Sequence, residues 1–258
     1  MRFLFRLLAS GSSGNVGLLS HQDEQGERFD ILIDAGLPWK TCVARDPGLA
    51  PRALFLTHEH SDHARYAVEL ARARDIPVYA TLGTARALDL RGVELRLLSA
   101  GKTVHLGPFE VRSFATPHDA EESVGFVVSA AGGCLGWVTD LGEVPSSVEE
   151  ALAPCDAAVL EFNHDLAMLR RGPYPWSVKQ RIAGPLGHLS NQQGAALLGR
   201  LAARGRLKHV VLAHLSESNN SPALARAVAE EALAGRSVSL GVASAKVPTP
   251  PHRVLGPA

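Results

Sequence analysis

The 258-residue chain has only three cysteines, Cys42, Cys134 and Cys155. They are widely spaced and odd in number, which excludes a disulfide framework and a C-x-x-C metal knuckle. Small buried thiols in a reducing cytoplasm are the expectation. No apolar stretch approaches the length that spans a bilayer. The opening MRFLFRLLASGSSG has the basic start and leucines of an export signal, but Arg6 interrupts its apolar run. Phe3, Phe5 and Leu7 alternate with Leu4 and Arg6, so a strand is expected there instead. Charge of neither sign dominates, because the net charge is zero. Yet acid is missing from one long stretch. Between Asp165 and Glu217 there is no Asp or Glu, while Arg170, Arg171, Lys179, Arg181, Arg200, Arg204, Arg206 and Lys208 all fall there. Local charge is what an anionic substrate meets, so a neutral total does not exclude a nucleic-acid partner.

What is present reads as a layered α/β or α+β domain. Short β-rich runs recur (FDILID, RALFLT, PVYAT, FEVRSFATP, SVGFVVSA, CLGWVTD, AAVLEF), each bounded by Gly, Pro, Asp or Ser. Helical patterns fall at 64–74, 146–153, 191–204 and 222–234. Ser190 with Gln193 predicts a capping box for the third, and Ser221 then Pro222 opens the last. Many strands in series with helices between them indicate one layered domain over residues 1–245. The proline-rich tail, 246–258, is expected to be loosely ordered.

Chemistry concentrates in LFLTHEHSDH, residues 54–63. His58 and His60 follow a strand, and positions two apart on extended chain point the same way, so both imidazoles can reach one ion. Asp62 and His63 lie where the chain turns into a helix and can face a second ion. Histidine with carboxylate suits zinc, manganese or iron. Further ligand candidates stand at strand ends: His118 after FEVRSFATP, Asp140 ending CLGWVTD, and His214 ending HVVLAH.

This order of residues resembles the metallo-β-lactamase superfamily, whose signature is H-x-H-x-D-H followed by a histidine, an aspartate and a last histidine. The resemblance implies an αββα sandwich, two mixed sheets with helices outside and the site at one edge. It also implies two divalent ions per chain, manganese or zinc. His58, His60 and His118 would hold one, Asp62, His63 and His214 the other, and Asp140 would bridge them. Asp34, in ILIDAG, would support the histidine loop. Two ions would share a hydroxide and neutralise charge on a phosphoryl or carbonyl oxygen, with Asp62 orienting the nucleophile. His63 favours a full two-metal hydrolase over a β-lactamase in the strict sense.

Three features lean towards a phosphodiesterase. GHLSNQQGAAL places His188 before a capped helix whose N-terminus is a ready phosphate site. It resembles the H-x-S helix opening of tRNase Z, in which that histidine is a candidate proton donor. LEFNHDLAMLRRGPYPWSVKQR interleaves Arg170, Arg171, Lys179 and Arg181 with Tyr174 and Trp176. Cations for phosphates and flat rings for unstacked bases are ingredients of nucleic-acid binding. The set GSSGN, THEHSDH, NHD, GPYPWS, GHLSN and HLSESNN is similar to the YycJ/WalJ-type proteins. That likeness implies a cytoplasmic, metal-dependent 5′-to-3′ exonuclease acting on DNA. Asn15 and His164 would be further substrate contacts. The stretch from Asp140 to His214 is too short for the second domain of β-CASP nucleases. An RNA endonuclease of tRNase Z type, a small-molecule phosphodiesterase or lactonase, and an inactive metal-binding sensor stand as alternatives.

Overall fold

The computed structural model describes residues 1–256. Among them, strands β1 (Arg2–Ala9), β2 (Val16–Gln22), β3 (Arg28–Ile33), β4 (Pro51–Phe55), β5 (Val78–Thr81) and β6 (Leu95–Leu98) form one sheet. The second contains β7 (Thr103–Leu106), β8 (Phe109–Ala115), β9 (Val124–Ala130), β10 (Gly133–Val138), β11 (Ala157–Glu161), β12 (His209–Ala213) and β13 (Ser239–Val242). Strand β14 (His252–Val254) returns to the first sheet, pairing antiparallel with β1. Helices α1 (Trp39–Arg45), α2 (Ser61–Ala64), α3 (Ala67–Arg74) and α4 (Leu82–Ala87) follow strands of the first sheet. Those of the second half are α5 (Ser146–Leu152), α6 (Leu166–Arg171), α7 (Trp176–Ile182), α8 (Asn191–Ala203) and α9 (Pro222–Ala232).

Three apolar interfaces make this a four-layer αββα sandwich, as expected. Phe3, Phe5, Phe55, Phe126 and Trp137 fill the space between the sheets. Leu160, Phe162, Leu197, Leu198 and Ala225 pack the second sheet on its helices, and Leu18, Leu32, Leu54 and Leu70 do the same for the first. The alternation in β1 decides its orientation: Phe3, Phe5 and Leu7 are buried while Leu4 and Arg6 stay half-buried. All three cysteines are buried and free.

Two expectations change. The helix expected at 64–74 is interrupted at Arg65–Tyr66, because the backbone there is diverted. The Ala35 N–H donates to His63 O (2.6 Å) and the Tyr66 N–H to Ala35 O (3.0 Å), which ties the histidine turn to the segment after β3. The tail is also more structured than its prolines suggest. Thr249 donates its N–H to Leu7 O (2.9 Å) and accepts the Leu7 N–H at its hydroxyl (3.0 Å), and Val254 is buried between the sheets. Proline is tolerated because this strand lies at the sheet edge. The last two residues of the tail, 257 and 258, lie outside the described residues.

Candidate metal centre and its surroundings

Strands β3 and β4 run parallel in one sheet, and β10, β11 and β12 run parallel in the other. Their carboxyl ends, with that of β8, deliver Asp34, His58, Asp140, Glu161, His214 and His118 to one edge of the sandwich. Three of these sit in left-handed backbone: Asp34 (φ 63°), Asp140 (φ 61°) and His214 (φ 55°). Such conformations cost energy for residues with a Cβ, and they recur where a side chain must be aimed. Behind the turn, a Cβ on Gly36 would collide with the Asp62 carbonyl, so glycine is required for this close approach.

Four of the imidazoles, His58, His63, His118 and His214, are each held by one nitrogen, which leaves the other turned inward. His63 Nδ1 lies 2.7 Å from Asp34 Oδ2, and Thr57 donates both its N–H and its hydroxyl to the same carboxylate. His58 Nδ1 meets the Thr57 hydroxyl at 3.0 Å. His118 donates from Nδ1 to Gly187 O (3.0 Å), and His214 from Nδ1 to Glu161 Oε1 (3.1 Å). The free nitrogens then crowd together: His118 Nε2 and His60 Nδ1 are 3.3 Å apart. His214 Nε2 and His63 Nε2 lie 3.3 and 3.4 Å from Asp62 Oδ2. This one-nitrogen anchoring is how proteins orient metal-bound histidines.

The residues fit a divalent metal. His58 Nε2 and Asp140 Oδ2 are buried without a hydrogen-bond partner, a costly state unless an ion completes them. His63 Nε2 is 3.1 Å from that Asp140 oxygen but not in hydrogen-bonding geometry. Four groups have ligand atoms within 4.8 Å of one another: His58, His60 and His118; His58, His63 and Asp140; Asp62, His63 and His214; and Asp140, Glu161, His188 and His214. Burial pushes the pKa values of His58 and His118 down, favouring the neutral form that ligates. Burial opposes charge on His63 and His214 too. There the Asp140 carboxylate outweighs it, aided by Asp34 for His63 and by Asp62 and Glu161 for His214, so their pKa values rise, that of His214 to about 10. This surplus of negative charge is what a bound cation would answer.

Glu161 was not anticipated. It is fully buried at the end of β11 and accepts from four donors. Leu141 N (3.1 Å) and Leu189 N (3.2 Å) reach Oε2, while His188 Nδ1 (2.9 Å) and His214 Nδ1 (3.1 Å) reach Oε1. Burial alone would raise its pKa, but His188 and His214 lower it to about 2. Its signal in the sequence is a lone acid inside the apolar run AAVLEF. Asn163 is a second unanticipated contact, donating from Nδ2 to His214 O at 2.9 Å.

The other expected residues divide. His188 stands beside the cluster, 3.5 Å from Asp140 Oδ1, before α8 with its Ser190–Gln193 capping box. Arg170, Arg171 and Trp176 are exposed, Trp176 to 69%, and Tyr174 is half-buried. Arg181 is instead paired with Asp119, the residue after His118, and Lys179 donates to Arg170 O (2.8 Å). Three more arginines of the basic stretch are likewise met by acids from elsewhere, Arg200 and Arg204 by Glu149 and Arg206 by Asp156, while Lys208 donates to Gly205 O. Two expected substrate contacts are corrected. Asn15 is buried and spends its amide on Gly11 O, Asp62 and His63, so it braces the histidine turn. His164 has no exposed surface, because the chain leaving β11 passes beneath Ser190 and Asn191. Burial pushes its pKa down to about 4.

Residues 30–215 match the β-lactamase superfamily domain. The chain therefore belongs to the metallo-β-lactamase superfamily and is a metal-dependent hydrolase. Within the superfamily it belongs with the YycJ/WalJ group. It is 34% identical over 253 residues to exodeoxyribonuclease YycJ of Bacillus anthracis, covering 93% of this chain and 92% of that protein. It is 33% identical over 252 residues to exodeoxyribonuclease WalJ of Streptococcus pneumoniae strain D39, covering 93% and 91%. The crystal structure of the metallo-β-lactamase fold protein YhfI from Bacillus subtilis superposes with a TM-score of 0.73 over 96% of this chain and 99% of that one. Its 14% identity speaks to the fold alone. No helix among the described residues is long and apolar enough to cross a membrane.

Proposed function

We propose that this protein is a two-metal phosphodiesterase that degrades DNA from the 5′ end. The observation that carries the reading is the pairing of buried Glu161 with half-buried His188 (2.9 Å) against the ligand cluster. It gives the centre a proton donor of its own. His58, His60 and His118 would hold one ion and Asp62, His63 and His214 the other, with Asp140 between them. Such ions supply Lewis acidity and a nucleophile from water at neutral pH.

The chain's own residues supply the remaining steps. The hydrogen bonds at Asp62 fall on Oδ2, which leaves Oδ1 of this partly exposed side chain to orient the attacking water. Glu161 fixes His188 through Nδ1, so Nε2 faces outward. Burial opposes a charged imidazole here, but Glu161 outweighs it and raises the His188 pKa, keeping Nε2 protonated for the departing oxygen. Arg170 and Arg171 on α6 meet backbone phosphates, and the exposed Trp176 ring stacks on a terminal base. The names of the YycJ and WalJ relatives support DNA as the polymer.

The test is degradation of end-labelled duplex DNA, single-stranded DNA and RNA under manganese and zinc in turn, with metal content measured on the same samples. Progressive loss of duplex from the 5′ end is expected, and it should vanish with metal in His58→Ala/His60→Ala. Cleavage of RNA but not DNA would replace this reading with the tRNase Z type. Undiminished hydrolysis by the double variant would remove the metal assignment.

A further inference from the structure

Two of the three cysteines meet in the fold. Cys134 stands at the start of β10 and Cys155 in the segment between α5 and β11, 21 residues apart in sequence. Their Sγ atoms are 3.6 Å apart. The backbone holds them there. The Asp156 N–H donates to Cys134 O (2.8 Å), and the Cys134 N–H donates to the Asp156 carboxylate (2.8 Å). Arg206 fixes Asp156 in turn, at 3.1 Å. Room for the second thiol comes from Gly136, where a Cβ would lie 3.2 Å from Cys155 Sγ.

The two thiols differ in access. Cys134 lines an open surface cavity of about 420 Å³, together with His105, Glu110, Ser129 and Arg206. Cys155 is 2% exposed and is not part of that wall. They differ in reactivity in the same sense. A thiolate on Cys134 accepts the Cys155 S–H, which lowers the Cys134 thiol to about 7 against the effect of burial, with Arg206 helping and Asp156 opposing. The same contact and burial push the Cys155 thiol up. The thiolate is the form that attacks an oxidant. Cys42 is the contrast. It is fully buried against Leu37 O, and burial pushes its thiol up to about 11.

We propose that Cys134 and Cys155 form a peroxide-oxidised dithiol, with Cys134 the attacking and Cys155 the resolving cysteine. The Cys134 thiolate attacks one oxygen of hydrogen peroxide. An S–O bond forms, the O–O bond breaks, and the departing hydroxide takes up the proton that Cys134 released, giving water. Cys155 sulfur then attacks the Cys134 sulfenic acid. An S–S bond forms, the S–O bond breaks, and the departing hydroxide leaves with the Cys155 proton as a second water. The dithiol loses two electrons and two protons, and the peroxide is reduced. The sulfurs need to close by only about 1.5 Å to bond. The bond staples the start of β10 to the segment entering β11. Asp140 lies about 20 Å further along the extended chain, so the metal centre keeps its geometry.

The test treats zinc-loaded protein with hydrogen peroxide, alkylates the remaining thiols with iodoacetamide under denaturing conditions, and reads the mass. One alkylated thiol is expected, at Cys42, with a peptide that joins Cys134 to Cys155 and is two hydrogens lighter than its reduced parts. Dithiothreitol should restore all three thiols. The oxidised protein should melt about 4 °C or more above the reduced one, with unchanged zinc content. Cys155→Ser should leave a sulfenic acid on Cys134 that dimedone traps, and Cys134→Ser should slow oxidation of Cys155 at least about tenfold. Three alkylated thiols in the treated wild type, or oxidation of Cys42 as fast as Cys134, would overturn the proposal without recourse to either variant. A bond that forms but leaves Tm unchanged or lower would overturn the staple.

Discussion

Replacing Glu161 with glutamine tests the architecture of the site most directly, because one carboxylate serves four donors. Oε1 takes both imidazoles and Oε2 takes the Leu141 and Leu189 amides. A glutamine keeps one oxygen and turns an NH2 towards two of those donors, whichever way it is oriented. Two hydrogen bonds to a buried charged group are lost, at about 1.5 kcal/mol each or more, so destabilisation of about 3 kcal/mol is expected. For a chain of this size that is a fall in Tm of about 6–12 °C, which a domain with 5–15 kcal/mol of stability survives. Activity should fall further than stability. With Glu161 neutral, His188 loses the charge that holds its proton and the acceptor that aims Nε2. General-acid catalysis contributes roughly 10²–10⁴-fold, so at least about 100-fold loss is expected on DNA. The loss should be much smaller on a thymidine p-nitrophenyl phosphate ester, whose leaving group needs no proton. Metal content measured on the same samples separates damage to His214 from damage to His188. Wild-type turnover with only a lowered Tm would reduce Glu161 to a structural group, and equal loss on both substrates would refute the proton-donor role.

Asp34→Asn should leave the fold intact and weaken metal affinity about 10–100-fold, because Asp34 fixes His63 and Thr57 from behind; titration against a chelator checks this, and unchanged affinity would refute it. Arg170→Ala with Arg171→Ala should weaken DNA binding across sequences and flatten the salt dependence by about one unit of slope per cation; an unchanged slope would show that neither meets a phosphate. The His209 and His252 rings lie 4.4 Å apart, tilted by 31°, between β12 and β14, beside Phe5. Burial lowers both pKa values, that of His209 from 6.5 to about 4. The unfolded chain therefore binds more protons in this window. The contribution is complete above about pH 6.5 and is lost as pH falls through about 4. Urea unfolding at pH 7 and pH 5 should show a smaller difference in His209→Gln than in the wild type, and identical differences would count against the pair.

The layers of the fold were legible in the chain because burial repeats along it. Runs such as CLGWVTD and AAVLEF are apolar up to the acid near their ends and became central strands paired in parallel, while β1 showed its half-buried face by alternation. Elements that owe their form to a partner were not legible. Strand β14 exists because β1 offers an edge and Thr249 replaces a ladder bond, and no local pattern in KVPTPPHRVLGPA encodes that. The break between α2 and α3 likewise depends on Ala35, far away in sequence.

Charge is where local reading and spatial fact diverge most. The acid-free stretch from 166 to 216 reads as one basic surface, yet folding brings Asp119, Glu149 and Asp156 to Arg181, Arg200, Arg204 and Arg206. Of the eight cations, only Arg170 and Arg171 on α6, Lys179 and Lys208 have no acid partner among the described residues. The converse holds at Glu161. A solitary acid in a strand reads as a misplaced surface residue until the fold sets two imidazoles and two amides around it. The ligands His58, His60, Asp62 and His63 were visible because their spacing is local. The residue that links His188 to His214 was not, because its four donors come from three separate segments, Leu141, His188–Leu189 and His214, brought together by the parallel register of β10, β11 and β12 and by the Asn163 N–H donating to Leu189 O.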